Sequence, residues 1–302
     1  MKIGFLDGVH PLLEPFAGSR QEAVVAIEQS VHRRFRSTGP LVRAWPGRTP
    51  DDLCVLFAWF QTLRDLVRSE DAFVTKRGLE LLEESLDAPT RGRDASIGAL
   101  ALAVPPRLDE YEIPLLALRS LVEAARHGSS VGAFTSRTEL LEHATQLTYP
   151  EVVTYLHVLG HTDDRSLLEA KSLGQGVQLV RWLATLRPEF AHGRLRVATE
   201  DVARFQVDLA SLERGDDTPE GRRLLRSHAE WAGGFLLKGW PLTHTLGFAR
   251  GRVLAGLLRF SVAELAALEE RHFAPGDPPP AGWTRVAACF AAAVLTRAPA
   301  RW

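Results

Sequence analysis

Arginine side chains flank single carboxylates in two helical segments of the sequence. The residues concerned are Arg64, Asp65 and Arg68 in one segment and Arg181, Arg187 and Glu189 in the other. A guanidinium group can hold a phosphate or a carboxylate through two parallel hydrogen bonds without a metal ion. The pattern therefore favours a site for an anionic head group. The alternative is that the arginines are solvated or pair with Asp65, Glu70 and Glu189, as charged residues on helices usually do.

Other residues have types suited to proton transfer or to contact with a cation. His143 and Tyr149 could act as a general base or a hydrogen-bond donor. Aromatic faces attract cations, and four rings are candidates for this role: Trp59, Phe60, Phe134 and Trp182. Each also has a structural alternative. A histidine on an amphipathic helix is usually a satisfied core residue, and rings at helical spacing usually pack in the core.

Residues 172–208 contain the elements that must position much of this chemistry. Apolar residues recur at helical spacing and predict one buried stripe: Leu173, Val177, Val180, Leu183 and Leu186. Pro188 and Gly193 then predict the end of the helix and a turn, followed by a short extended piece. Thr199, with acids in the two positions after it, predicts the N-cap of the next helix.

The remainder of the chain is also predicted to be helical. Besides the central segment, helices are expected over residues 21–36, from Pro50 onward, and over 73–86, 97–102, 113–127, 137–145, 221–236, 241–260 and 283–295. A short strand is expected at residues 3–6. No interdomain linker or repeat is evident, so the sequence predicts one all-α domain over residues 1–302.

Composition restricts the class of protein. The chain has 302 residues, a formal net charge of −1 and 45% hydrophobic residues, which is typical of a globular protein able to bury a sizeable core. This charge argues against a general nucleic-acid binder. No apolar run approaches the length of a membrane span, which leaves peripheral membrane contact open. Cys54 and Cys289 lie in apolar helical contexts and are expected to be free thiols, which favours a cytoplasmic location.

The order of several motifs resembles the squalene/phytoene synthase family. Leu173 begins an L-G-x-x-x-Q-L pattern that includes Gln178, His192 begins H-G-R-L-x-V, and Glu200 begins E-D-V-A-R-F-x-V-D. The resemblance covers roughly residues 30–274. Members of that family are head-to-head prenyl transferases, so the resemblance implies an all-α isoprenoid-synthase fold with a central cavity.

The aspartate motifs of the family are degenerate in this sequence. The family's first motif reads A-F-C-R-x-x-D-D-x-V-D, and the matching segment begins at Ala58 and keeps Asp65, with arginines at 64 and 68. The second motif, N-x-x-x-D-x-x-x-D-like, is matched by Arg181, Thr185 and Glu189. In the family these acids hold Mg²⁺ on a prenyl diphosphate. Because few acids remain, a full magnesium cluster is not expected, no metal ligand is assigned, and one weakly bound Mg²⁺ is left open.

The resemblance also assigns a role to residues outside the two motifs. Phe134 and His143 take positions where the family has tyrosines. The predicted catalytic residues are Asp65, His143 and Glu189. The predicted substrate-binding residues are Arg64, Arg68, Trp59, Phe60, Phe134, Tyr149, Gln178, Arg181, Trp182 and Thr185.

Two functions follow from this pattern. The first is a divergent transferase or related enzyme of isoprenoid or secondary-metabolite biosynthesis, acting on an amphipathic or diphosphate-bearing small molecule; standard squalene or phytoene synthesis is not expected. The alternative is an inactive relative that serves as a binding or scaffold protein. The oligomeric state is left open by the sequence.

Overall fold

The computed structural model describes residues 10–34, 50–69, 71–87 and 98–275. The predicted strand at residues 3–6, the predicted helix at 283–295 and Cys289 lie outside the described residues. Regular structure within these ranges is helical apart from two short strands. Cys54 is buried and free, as expected.

The elements are labelled here in chain order. The first helices are α1 (Arg20–Arg34), α2 (Pro50–Arg68), α3 (Ala72–Glu84), α4 (Ala99–Ala103), α5 (Pro105–Glu110) and α6 (Leu115–Ser130). Strand β1 (Ala133–Phe134) precedes α7 (Arg137–Leu159), α8 (Asp164–Ala184) and α9 (Leu186–Ala191). Strand β2 (Leu195–Ala198) precedes α10 (Thr199–Phe205), α11 (Leu209–Arg214), α12 (Pro219–Gly239), α13 (Leu242–Thr245) and α14 (Gly247–Glu270).

The described chain divides into two compact units. The single domain expected over residues 1–302 stays a prediction. Unit 1 comprises the described parts of Met1–Ser129 and Val153–His161. Unit 2 comprises the described parts of Ser130–Val152 and Thr162–Trp302. Helix α7 is a continuous helix that contributes residues to both units.

In unit 1, α2 packs against α1 and α3, and its first turn is fixed by a polar network. The Nε atom of Arg107 lies 2.7 Å from Oδ1 of Asp52, and the hydroxyl of Tyr111 donates to Oδ2 at 2.6 Å. Burial and this hydrogen bond raise the pKa of the Tyr111 hydroxyl. The network fixes the start of the helix that carries Asp65.

Unit 2 is centred on a close contact between α8 and α12. A Cβ atom at Gly239 would lie 2.7 Å from the backbone nitrogen of Leu173, and one at Gly176 would lie 2.8 Å from that of Leu236. Glycine at these positions lets the two backbones approach closely. The contact holds the C-terminal half of α8, where the second motif begins, in a fixed position.

The two short strands pair in parallel within unit 2. Ala133 pairs with Leu195 and Phe134 with Ala198, with an irregularity between the two pairs. The turn before β2 contains Gly193 at a φ of 69°, a left-handed conformation that glycine adopts without strain. The predicted turn and extended piece are thus confirmed.

Four predicted helix boundaries were wrong. Pro188 does not end a helix, because α8 already ends at Ala184 and Pro188 lies within α9. Ala198, not Thr199, occupies the N-cap of α10, and the Thr199 hydroxyl instead donates to the carbonyl of Thr135. Helix α7 continues through Pro150 to Leu159, because buried contacts outweigh local helix-breaking propensity. The helix expected over residues 241–260 is interrupted at Gly247, whose φ is 76°.

None of the described helices is both long and apolar enough to cross a membrane.

Candidate functional site

Helix α2 carries the residues of the first motif in unit 1. Arg64 and Asp65 are half-buried near its end, and Arg68 is exposed in its last turn. The neighbouring residues Leu63 and Leu66 are buried, so the motif lies along the edge between the core and the surface of this unit. Its charged groups are therefore not equivalent: Arg64 and Asp65 are partly shielded from water, whereas Arg68 is solvated.

His10 faces Asp65 and was not found by sequence reasoning. Its Nε2 atom lies 3.7 Å from Oδ2 of Asp65, and its Nδ1 atom accepts a hydrogen bond from the backbone N–H of Leu12 at 3.3 Å. A neutral imidazole that accepts at Nδ1 carries its proton on Nε2. This tautomer directs an N–H group toward the Asp65 carboxylate. His10 is buried, with 8% of its side chain exposed, against 20% for Asp65.

Trp59 and Phe60, on the same helix, pack in the interior of unit 1. The Nε1 atom of Trp59 donates to the hydroxyl of Ser85 at 3.2 Å. The ring of Phe60 makes edge contacts with Trp59, with centroids 5.3 Å apart, and with Tyr155, at 5.6 Å. Trp59 and Phe60 are each about 1% exposed. Their observed contacts are those of core residues.

In unit 2 the C-terminal half of α8 carries three predicted binding residues. The guanidinium of Arg181 donates through Nη1 to Oε1 of Gln178 at 3.3 Å. The hydroxyl of Thr185 donates to the carbonyl of Arg181 at 2.9 Å, and Thr185 occupies the C-cap of the helix. Gln178, Arg181 and Thr185 thus follow one another along α8 and are linked by hydrogen bonds.

Glu189, the remaining acid of the second motif, is engaged by two arginines. Its Oε2 atom accepts from Nε of Arg194 at 2.9 Å and from Nε of Arg196 at 3.1 Å. Its backbone carbonyl also accepts from the N–H of Arg194 at 2.9 Å. The three side chains are largely buried. Ion pairs at this burial are stronger than those on the surface, and they fix the orientation of the carboxylate.

Arg196 joins this ion pair to an aromatic cluster. Its guanidinium carbon lies 5.6 Å from the ring centroid of Phe134 and 5.8 Å from that of Trp182, within the range of cation–π attraction. Burial lowers the pKa of Arg196, and the charge of Glu189 opposes this shift. Sequence reasoning missed Arg194 and Arg196, although their alternation with apolar residues in the R-L-R-V segment was a signal.

His143 stacks with the same two rings. Its imidazole is 5.0 Å from the ring of Phe134 and 5.9 Å from that of Trp182, and it is nearly parallel to the latter, at 7°. Only 4% of His143 is exposed. The structure therefore brings together His143, Phe134, Trp182 and Glu189 through Arg196. Tyr149 lies on α7, half-buried, directly before Pro150.

A second buried polar network in unit 2 was also missed. The Nε2 atom of His228 lies 3.0 Å, and Nε of Arg137 2.5 Å, from Oδ2 of Asp201. Burial would raise the pKa of the Asp201 carboxyl, but hydrogen bonds from His228 and Arg137 outweigh it and lower the pKa to about 2. Burial lowers the pKa of the His228 imidazole, and Asp201 opposes this shift. Asp201 is 64 positions from Arg137 in sequence, so no local pattern marks the network.

The residues of the second motif do not fit a magnesium cluster. Glu189 already accepts two guanidinium groups through one oxygen, and a divalent cation beside Arg194 and Arg196 would be repelled. Within residues 10–34, 50–69, 71–87 and 98–275, no three His, Cys, Asp or Glu side chains are grouped closely enough to hold a metal ion. Asp65 offers one carboxylate, which could contribute to a weak site completed by phosphate oxygens and water.

Comparison with known proteins places this chain in a family. The model of the squalene/phytoene synthase family matches residues 41–286. This chain belongs to the squalene/phytoene synthase family. Comparison with curated protein sequences gives no significant match.

Solved structures show the same fold at low sequence identity. The chain is similar to squalene synthase HpnC from Alicyclobacillus acidocaldarius, with a TM-score of 0.76 and 17% identity over 85% of this chain and 97% of that one. It is similar to a dehydrosqualene synthase in complex with a ligand (TM-score 0.79, 17% identity, 91% and 96% coverage) and to YisP from Bacillus subtilis subsp. subtilis strain 168 (0.70, 15%, 90% and 96%). The predicted all-α isoprenoid-synthase-like fold is thereby confirmed.

Proposed function

We propose that this protein is a transferase or related enzyme of isoprenoid or other small-molecule biosynthesis that binds an amphipathic or diphosphate-bearing substrate without a full magnesium cluster. One observation carries the proposal. In a member of this family, the remaining acid of the second motif, Glu189, is paired with Arg194 and Arg196 rather than left as a metal ligand. Binding of the anionic head group then falls to arginine side chains.

The proposed roles are divided between the two motifs. Arg64 and Arg68 in unit 1, and Arg181 in unit 2, are each proposed to bind an anionic group that reaches their own helix. Asp65, with the His10 N–H directed toward it, accepts a proton or contributes to a single Mg²⁺ site. The ion pairs of Glu189 support a positioning role for this residue, because two guanidinium groups already occupy its Oε2 atom.

The alternative function is that of an inactive family member that binds a partner or serves as a scaffold. The packing of His143, Phe134, Trp182 and Arg196 supports it, since these residues are each at most 5% exposed and contact one another. A central cavity, a single-domain arrangement and a cytoplasmic location remain predictions from the sequence.

Ligand binding distinguishes the two functions. Thermal unfolding would be followed with farnesyl diphosphate, geranylgeranyl diphosphate and inorganic pyrophosphate, each with and without Mg²⁺. We expect the prenyl diphosphates to raise Tm without Mg²⁺. Reversal of charge in Arg64→Glu and Arg181→Glu should abolish that rise, whereas Arg223→Glu, at an exposed ion pair with Glu220, should not. Absence of any shift in the wild-type protein would favour the scaffold function.

Product analysis tests the chemistry. Incubation with each prenyl diphosphate should consume it without yielding squalene or phytoene. Formation of either product would contradict the proposed loss of standard head-to-head coupling. Binding without turnover, in the presence and absence of Mg²⁺, would assign the protein to the alternative class.

A further inference from the structure

A long segment of unit 2 contains basic residues but no acidic ones. Between Glu230 and Glu264 the sequence has no aspartate or glutamate, while it contains Lys238, His244, Arg250, Arg252 and Arg259. This is unusual in a chain whose acidic and basic residues nearly balance, with a net charge of −1. The segment covers the end of α12, all of α13 and the first two-thirds of α14.

Residues 242–252, here called the basic corner, form a fixed bend in this segment. Leu242 and Leu246 are buried and anchor the bend to the core of unit 2. Gly247 adopts a φ of 76° at the junction where α13 ends and α14 begins. A Cβ atom at Gly251 would overlap the carbonyl oxygen of Thr243, because the backbones of the two helices are in direct contact there. The shape of the basic corner is therefore set by packing.

An aromatic side chain projects from the basic corner. Phe248 is 71% exposed, directly after Gly247. The guanidinium carbon of Arg252 lies 3.4 Å from the centroid of the Phe248 ring. Arg250, which lies between these two residues in the sequence, is half-buried. His244 is exposed on the preceding helix. The ring thus lies against one guanidinium group in a segment without acidic residues, and the carboxylate seen at the basic corner is that of Glu169 on α8, which accepts from the hydroxyl of Thr245 at 3.3 Å.

We propose that the basic corner is a docking surface for an anionic lipid bilayer. Charge complementarity carries the proposal, because lipid head groups attract clustered basic residues near the surface and an aromatic ring inserts at the boundary between head groups and acyl chains. The stacked guanidinium of Arg252 lets the ring enter this boundary while its charge stays at the level of the phosphates. The sequence left peripheral membrane contact open, and the proposal assigns it to this surface.

Another exposed aromatic residue shows what distinguishes Phe248. Phe73, on α3 in unit 1, is 61% exposed, a similar value. Its helix contains Glu80, Glu83 and Glu84, and Asp71 caps its N-terminus. An anionic membrane would repel these carboxylates, so Phe73 is not expected to insert. Phe248 and Phe73 are therefore similarly exposed rings, one among basic and one among acidic residues, and their effects on membrane binding can be compared directly.

The test is binding of the full chain to vesicles, measured by cosedimentation without substrate. It does not depend on the proposed function, because no turnover is needed. The vesicles contain phosphatidylcholine alone or with an equal share of phosphatidylglycerol. We expect binding to the anionic vesicles only, and a decrease as salt is raised. Phe248→Ser should weaken binding about tenfold, and the double variant Arg250→Gln/Arg252→Gln about 30-fold.

Controls separate lipid binding from misfolding. Phe73→Ser should bind as the wild-type protein does, and circular dichroism with thermal unfolding should show that each variant folds. The salt dependence of binding is measured on the wild-type protein, so it does not depend on whether any variant folds. Equal binding to both kinds of vesicle, no binding to either, or equal effects of Phe248→Ser and Phe73→Ser would overturn the proposal. Capture of an acidic protein in place of vesicles would likewise contradict it.

Discussion

The Nε2 atom of His228 lies 3.0 Å from Oδ2 of Asp201, and these two side chains are 2% and 3% exposed. The same oxygen accepts a hydrogen bond from Nε of Arg137, and Nη2 of Arg137 donates to the hydroxyl of Ser227 at 2.7 Å. One carboxylate oxygen thereby ties α7, α10 and α12 together within unit 2. Glu200, next to Asp201, accepts from the backbone N–H of Arg137 at 2.7 Å and reinforces this junction.

Asp201→Asn should destabilise the fold. The change leaves Arg137 and His228 without their shared negative partner, and breaking a buried charged network costs about 3 kcal/mol. The free energy of unfolding in urea gives the measurement. Asp217→Asn is the matched control, since Asp217 pairs with Arg222 at the exposed surface, and this change should cost much less than Asp201→Asn. Equal losses in the two variants would show that the junction contributes little.

The same network predicts a loss of stability in acid. The pKa of Asp201 is about 2 in the folded protein against an ordinary 3.8, so its contribution is complete above pH 3.8 and is lost as pH falls toward 2. The shift corresponds to about 2 kcal/mol. His228 also makes the protein less stable in acid, but its effect begins at a higher pH. Its pKa is lowered from 6.5 in the folded protein, so the free energy of unfolding begins to fall as pH drops below 6.5.

The free energy of unfolding, measured between pH 8 and pH 2, should therefore decline in two pH ranges, one below pH 6.5 and one below pH 3.8. In Asp201→Asn the decline below pH 3.8 should be reduced by about 2 kcal/mol. A pH profile identical to that of the wild-type protein would contradict the assignment.

Glu189→Gln should act mainly on stability. Gln keeps the size of the side chain but removes the charge that compensates Arg194 and Arg196, at an expected cost of about 3 kcal/mol. Glu220→Gln, at an exposed pair with Arg223, is the control and should cost less than about 1 kcal/mol. Thermal and urea unfolding give both values. If Glu189→Gln kept full stability, the ion pairs would not be its main role.

Two substitutions at His10 test the proton position on its imidazole. Gln places an N–H near the position of Nε2 and can still donate toward Asp65, whereas Leu cannot. We expect His10→Leu to lose about 1 kcal/mol of unfolding free energy and His10→Gln to stay closer to the wild-type protein. Equal values for the two variants would argue that the imidazole contributes only by packing. The Tm shift with prenyl diphosphates, measured on both, reports whether the contact also affects binding.

The glycines of α12 offer a prediction about packing. Gly239→Ala would place a methyl group 2.7 Å from the backbone of α8, and overpacking against backbone costs about 1–3 kcal/mol. Gly234 lies on the same helix with nothing within 4 Å of a Cβ atom, so Gly234→Ala should stabilise the protein by about 0.5–1 kcal/mol through helix propensity. Urea unfolding should show a lower free energy of unfolding for Gly239→Ala and a higher one for Gly234→Ala. A loss of stability in both variants would contradict the packing assigned to Gly239.

Local signals in the sequence were sufficient for most helices and some of their ends. The side chain of Asp163 accepts from the N–H of Ser166 and that of Thr218 from the N–H of Gly221, which are the contacts that Asp and Thr provide at an N-cap. In the predicted apolar stripe, Leu173 and Val180 are buried in α8, Val177 and Leu183 are half-buried, and Leu186 is buried in α9. These features depend on residues within one or two helical turns, so they can be read without knowledge of the fold.

Helix ends that depend on distant contacts were predicted less well. Pro150 lies within α7 because buried side chains on both sides of it hold the helix together. Gly247 interrupts the helix expected over residues 241–260 because α13 is held against α14 by backbone contact. In both cases packing outweighed local propensity.

Residue order and spacing were enough to predict the family and the helical fold, because both leave a pattern along the chain. The contacts of Asp65 and Glu189 became known from the folded structure: His10 for Asp65, and Arg194 and Arg196 for Glu189. The folded structure also decided that His143 stacks with Phe134 and Trp182, and that Phe248 is exposed among basic residues. The charge and orientation of a side chain depend on neighbours brought together by folding, and no local pattern records them.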